Sequence, residues 1–484
     1  MKKIIYIFLI FALAQTSMAQ QNNTMYFMQS LPQAKWLNPA IQNECKLHIG
    51  GALIPITGQF LLPIQYNYGN NGFALKDMLQ YNADMDSLIL PGFKGYDWDQ
   101  LQGSLRNVNY ITNELHINLL TVGYKYKDWY FGLDINDKVE SRFSFNQDLI
   151  TFGKEGNGQS FLDETANLGD LGVTGTFYSE YALSASKKIN DKLTIGVSAK
   201  LLFGKLNVWT ENSILDMHTN NNENYPITVD ADYLVHTSQP FTEVTEMYYD
   251  YEGDSMVFNS EDKEVNFKDI YFNAKNFGMG FDIGATYKFN DKIEFYASLT
   301  DMGYIHWTDN TQTFAVKGSY YWDGYNFQPA LTEDEELITN TNDSLKKNII
   351  KIFEPSMQTN SYTSFLTPKA YIGGTYQFNE KIRTGLLLRS AFFQNDWHPS
   401  MTVSGNFRLK KWFEATASYS MINNSYTNIG LGFTAKAKWF QFFMMTDNLW
   451  GFIWPQSTHN INFRMGMNLI FGCKKKENTT LIGG

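Results

Sequence analysis

The feature that most constrains this chain is a short polar turn that recurs almost unchanged. Lys188-Ile189-Asn190-Asp191-Lys192-Leu193 returns as Lys288-Phe289-Asn290-Asp291-Lys292-Ile293 and again as Gln377-Phe378-Asn379-Glu380-Lys381-Ile382. Apolar residues alternate with small or polar ones on both sides of each copy, so each copy joins two antiparallel strands as a hairpin. Leu193, Ile195, Val197, Ala199, Leu201 and Phe203 alternate with Thr194, Gly196, Ser198 and Lys200. Met279 to Phe289 and Met401 to Leu409 repeat the pattern. Strands of a soluble sandwich average about 5 to 6 residues, whereas these runs approach the roughly 9 to 11 that a tilted strand needs to cross a bilayer. The expected fold is all-β, a closed antiparallel transmembrane β-barrel.

Three looser turns extend the series: Lys127-Asp128 before Trp129, Lys410-Lys411 before Trp412, and Ala437-Lys438 before Trp439. A Trp just past a turn suits an interfacial aromatic girdle, although Trp129, Trp412 and Trp439 also read as ordinary core residues at strand starts. The six turns define hairpins over residues 115 to 139, 178 to 205, 271 to 302, 367 to 392, 400 to 421 and 427 to 448. A first strand rising from Lys46 and a last one ending at Phe471 bring the count to about fourteen, the even number that antiparallel closure requires. Short turns are periplasmic in such barrels, which puts the long insertions at 69 to 114, 140 to 177, 206 to 270 and 303 to 366 outside. Gln59 to Tyr68 and Thr311 to Trp322 break this parity and are assigned to extensions or loop hairpins, so a count of sixteen stays open. Leu75, Met78, Leu79 and then Leu101, Leu105, Val108 recur at helical spacing, which suits helices inside the barrel.

The ends carry their own signals. Lys2 and Lys3, the apolar run Ile4 to Ala14, and Ser17-Met18-Ala19 before Gln20 read as a secretory signal peptide over residues 1 to 19. Residues 20 to 45 are irregular, with a short helix expected within Met25 to Leu37 and an Asn38-Pro39-Ala40 motif beyond it. Ile461, Phe463, Met465, Met467, Leu469 and Phe471 alternate with Asn462, Arg464, Gly466 and Asn468, and a tail over 472 to 484 follows. The net charge of −10 with scattered basic residues offers no footprint for nucleic acid.

Chemistry-bearing residues are few. Cys45 precedes the first strand and Cys473 follows the last, so closure makes them neighbours in an oxidising compartment. A seam disulfide and two free thiols are both compatible with that placement. Arg383, Arg389 and Arg408 point inward, either to hold an anionic head group through bidentate bonds or to pair with Glu414, Glu294 or a plug. The loop from Glu243 to Glu264, with Asp250, Glu252 and Asp254, lacks the spacing of a calcium loop. No metal or cofactor motif and no nucleophile elbow occurs, so an enzyme is not supported.

The signal peptide, the early Asn38-Pro39-Ala40 and the repeated strand-Asn-Asp-Lys-strand hairpins resemble uncharacterised Bacteroidota outer-membrane proteins of the FadL-like group, which includes FadL, PorV and PorP-like proteins. The resemblance implies a barrel of fourteen strands plugged by its N-terminal segment, here Gln20 to Glu44. It implies an outer membrane of a Gram-negative bacterium, with Phe471 similar to the C-terminal signal read by the barrel assembly machinery. It implies contact with outer-membrane lipid and either transport of hydrophobic small molecules or a scaffold role for surface secretion, adhesion or gliding partners.

Overall fold

All three repeated turns close by one mechanism. The Asn190 side chain accepts hydrogen bonds from the Lys192 and Leu193 amides, each at 2.9 Å. Asn290 and Asn379 take the same two bonds at their own turns. A short amide that mimics a backbone acceptor is what such a turn selects. At the first turn Lys188 also bonds Asp191 at 3.0 Å and holds its carboxyl below the usual carboxylate range.

The computed structural model describes residues 22–473, apart from 57–60, 223–224, 251–254, 265, 267–269, 324–352, 354, 394–395, 411 and 423–424. Residues 1–19, read above as a signal peptide, Gln20 and Gln21 of the expected plug, most of the tail, Gln59, Lys411, Glu252 and Asp254 lie outside the described residues. Fourteen antiparallel strands close into a barrel. They are β1 (Leu47–Gly50 and Ile64–Asn70), β2 (Val108–Tyr126), β3 (Trp129–Asn146), β4 (Gly172–Lys188), β5 (Leu193–Thr219), β6 (Phe277–Lys288) and β7 (Ile293–Trp307). There follow β8 (Lys369–Gln377), β9 (Ile382–Phe393), β10 (Asp396–Lys410), β11 (Phe413–Ile422), β12 (Ser425–Ala437), β13 (Phe440–Thr446) and β14 (Asn460–Phe471). Closure is made by β14 against both halves of β1.

Two expectations need correction here. Residues from Gln59 to Tyr68 were expected to be off parity, yet Ile64–Asn70 is the second half of the first strand. The chain leaves the wall at Gly51, whose φ of +114° only glycine adopts readily. Ala52 and Leu53 donate to the Asn118 and Leu119 carbonyls, at the bulge of β2. The chain returns with Ile64 opposite Ile117. Both halves face the same two neighbours, so the excursion adds no strand.

The helices expected inside the barrel are instead in the loops. Leu75–Met78, Trp98–Ser104 and Gln147–Glu155 belong to a cap at the loop end, where Ile89, Tyr96 and Leu101 are buried against Met78, Leu105 and Ile150. Thr311–Trp322 pairs with Ile227–Ser238, which pairs with the far end of β5, and these strands extend the wall beyond the barrel.

Burial is inverted relative to a water-soluble sheet. Leu183, Val197, Phe281, Ile372 and Leu386 face outward and are exposed, while Ser179, Thr402, Ser420, Asn428 and Asn468 face the lumen and are buried. An apolar belt of this extent is stable against lipid, where the closed ladder leaves no backbone group unpaired at an edge. Among the described residues no helix is long and apolar enough to cross a membrane.

Candidate functional site: the plugged lumen and its wall

Residues 22 to 45 form the plug. A single helical turn, Asn23–Phe27, and a 3-10 turn, Pro32–Trp36, lie across the lumen at the turn end, and all five residues of the first are buried. Met25, Tyr26, Phe27, Met28 and Leu31 make one core with Tyr296, Tyr371, Leu387 and Phe443 of the wall. Tyr26 stacks on Tyr371 at 5.4 Å and meets Tyr296 edge-on. Such aromatic pairs contribute about 0.5–1.5 kcal/mol each beyond their burial.

Polar groups fix the plug's position. Asn38 donates to the Tyr26 hydroxyl and to the Ala285 and Ala297 carbonyls at 3.2–3.3 Å, while its oxygen accepts from the Ala40 amide. Glycine makes this approach feasible: a Cβ on Gly284 would lie 2.1 Å from Asn38 Oδ1, and one on Gly196 2.3 Å from the Pro39 carbonyl carbon. Thr24 donates its amide to Asp447 at 2.7 Å, Gln33 exchanges bonds with Asn468, and Lys35 pairs with Asp134 at 2.9 Å. Arg464 reaches Met25 Sδ and lies over the Trp36 ring at 4.8 Å.

The arginines singled out from the sequence do not converge. Arg383 donates to Gln29 Oε1 at 2.6 Å and to the Phe27 carbonyl, so it belongs to the plug's anchoring. Arg408 pairs with Glu414 at 2.8 Å. Arg389 sits higher in the lumen, with its guanidinium 5.9 Å from the Tyr371 ring centroid. Trp129, Trp412 and Trp439 stand immediately past their turns with exposed side chains. Phe471 pairs with Leu47, and two residues beyond that pair Cys45 and Cys473 are joined by a disulfide.

Above the plug lies a buried ion network. Lys200 reaches Asp282 and Asp301 at 2.7 Å and Glu180 at 3.5 Å; Lys138 pairs with Glu180 at 2.7 Å, and Lys369 with Asp301 at 2.9 Å. Asp301 enters the lumen beside Thr300 only because β7 bulges there, with Asp301 at φ 59°. Alternation alone would have sent Asp301 outward, which is why the sequence did not reveal it. This cluster lines a small cavity of about 80 Å³, and Glu114 and Glu140 border both it and a separate cavity of about 1060 Å³.

The larger cavity's lining mixes lumenal and outward side chains. Glu114, Glu140, Arg142, Tyr178 and Asn207 belong to the interior, whereas Met279, Phe281, Tyr304 and Phe365 belong to the exposed outer face. The ladder is bulged at this height on one flank of β7 and interrupted on the other. On one side the β6 register shifts between Phe281 and Ile283. On the other, pairing passes from Thr300–Lys369 to Tyr304–Phe365, and the Leu366 amide bonded to the Gly303 carbonyl spans the gap. Pro368, which has no N–H to give a ladder, lines that gap. Pro368 and the nearby Gly278, Gly280 and Gly303 were the sequence signal for a broken wall.

Among solved structures, the Ralstonia pickettii toluene transporter TbuX is 10% identical over 91% of this chain and 94% of its own, with a TM-score of 0.42. A Pseudomonas aeruginosa FadL homologue is 11% identical over 92% and 94%, with a TM-score of 0.38. The Pseudomonas putida toluene transporter TodX is 9% identical over 94% and 93%, with a TM-score of 0.35. No curated protein matches the chain in sequence. The model of a family of unknown function, DUF5723, matches residues 39–447, and the chain belongs to that family.

Proposed function

We propose that this protein is an outer-membrane barrel that passes hydrophobic small molecules through the loop-end cavity and the interrupted wall beside β7. The observation that carries this reading is the cavity itself. Its apolar part includes the lipid-facing Met279, Phe281, Tyr304 and Phe365, and its inner side carries the charged Glu114, Glu140 and Arg142. Apolar cargo meets a desolvation cost at those inner charges and an apolar surface at the side, so the wall is the easier exit. Turns then face the periplasm and loops the exterior.

The test uses Gly280, where a Cβ meets nothing closer than 3.5 Å, so a large side chain fills the cavity without displacing backbone. Gly280→Trp should cut uptake of a fluorescent fatty acid or a monoaromatic probe into proteoliposomes by roughly tenfold, a loss of about 1.4 kcal/mol in transition-state terms. Uptake identical in wild type, Gly280→Trp and empty liposomes would refute transport.

A second reading, a scaffold for a surface partner, is favoured by one observation. The wall extension presents an apolar strip of Val229, Tyr233, Val235, Phe314 and Val316 beyond the barrel. Crosslinking in native membranes from Tyr233 to a single protein, lost in Tyr233→Asp, would support it.

A further inference from the structure

Every turn of the barrel carries exposed lysine, in a chain whose net charge is −10. The first turn has Lys127 and the second Lys192. The third has Lys288 and Lys292, the fourth Lys381, and the last two Lys410 and Lys438. Acidic partners are fewer. Asp128, Asp191, Asp291 and Glu380 serve the first four turns, and Asp191 is already engaged by Lys188. The opposite end is reversed, with exposed Asp84, Asp86, Asp99, Asp163, Glu164 and Glu261 in its loops.

The lysines stand at the level of the exposed aromatics. Lys187 Nζ lies 5.0 Å from the Trp129 ring centroid, and Lys127 Nζ 5.4 Å from that of Tyr126. Trp412 and Trp439 are 53% and 61% exposed at the same rim. Tyrosine and tryptophan at a barrel rim mark the head-group level, and long lysine stems reach along the apolar wall to place their ammonium groups there. The distribution also discriminates between partners. A docked protein meets one sector of a rim, whereas a head-group layer meets its entire circumference.

From this collar we infer that the turn end is a binding surface for the phosphates of anionic glycerophospholipids in the leaflet it contacts. The inference rests on the membrane reading given above. Lysines near an anionic membrane surface each strengthen association about fivefold, and salt screens the effect.

The test compares purified, folded protein reconstituted in phosphatidylcholine with and without phosphatidylglycerol, with retained lipids counted by native mass spectrometry. Wild type should retain phosphatidylglycerol over phosphatidylcholine by roughly fivefold or more, a preference that falls with added salt. The combined variant Lys127→Gln, Lys192→Gln, Lys288→Gln, Lys292→Gln, Lys381→Gln, Lys410→Gln, Lys438→Gln should retain the two lipids equally. The loop-end control Lys76→Gln, Lys94→Gln, Lys263→Gln should behave as wild type. Heat-modifiable migration on gels confirms that each variant is folded. An inserted wild type without head-group preference would overturn the proposal, as would an unchanged preference in the turn variant. Displacement of phosphatidylglycerol by inorganic phosphate would overturn it in favour of a free-phosphate site, and capture of peptidoglycan fragments without lipid preference would overturn it in favour of the cell wall. Failure to insert even into neutral phosphatidylcholine would instead count against the membrane reading.

Discussion

The two ends of this barrel are built by opposite rules. At the turn end, hairpins close in a few residues, three of the six by one repeated asparagine device, and the plug is tied through Thr24, Gln33, Lys35 and Asn38 to several different strands. At the loop end, strands run to unequal heights, from the 27 residues of β5 to the 7 of β13, and the wall is interrupted around a cavity. One end is over-determined and sealed, the other is irregular and hollow. Function that needs a changing shape or an opening belongs where few polar constraints cross the interior. The polar fixings thus lie at the turn end and the open space at the loop end, where the proposed passage runs.

The comparison breaks most directly at Gly284. Gly284→Leu cannot keep Asn38 in place, because the new Cβ would lie 2.1 Å from its oxygen. The plug should be expelled and planar-bilayer recordings should turn from closed to large open-pore conductance; a closed barrel in this variant would show that the plug is not the seal.

Next in size is Lys200→Met, which leaves Asp282 and Asp301 buried beside one lost cation and should cost about 3–5 kcal/mol in denaturant unfolding. Adding Asp282→Leu should recover part of that loss, since an apolar pair replaces a charge left alone. If the single variant unfolds like wild type, the ion network does not hold the strands of the wall together.

Removing the seam bond by Cys45→Ser with Cys473→Ser should lower stability by about 2–5 kcal/mol, read as a drop in the temperature of heat-modifiable gel migration. Asn190→Ala, which removes two turn bonds, should cost about 1 kcal/mol. Deleting the outer hairpin formed by Thr242–Asp250 and Ser255–Asp262 should leave the unfolding temperature unchanged. A large loss from that deletion would blur the distinction between the two ends.

Much of the architecture was legible because period-2 alternation is a direct imprint of a wall with lipid on one side. Leu193 to Phe203 or Ile461 to Phe471 admit little else at that length. That the two pieces form one strand was hidden because Pro55, Gly58 and Pro63 interrupt the pattern between them, while their shared neighbours lie far off in sequence. The site was less legible. Asp301 faces inward through a bulge, and Lys200, Asp282 and Glu180 reach it from three different strands, so their spacing in sequence carries no trace of their contact. Likewise Asn38 was visible as part of a motif, but its role depends on Gly196 and Gly284, more than 150 residues away. The meeting of Cys45 with Cys473 followed from strand parity once closure was assumed; the bond itself is a structural observation.

That bond has a topological consequence. Linking Cys45 to Cys473 across a sequence separation of 428 turns the barrel into a covalent ring, with the plug hanging from it as a short pendant. A single protease cut in any outer loop then opens the ring without releasing a fragment, and the molecule keeps its mass until the sulfur link is reduced. Loops long enough to be attacked from outside are in this sense harmless to the integrity of the chain.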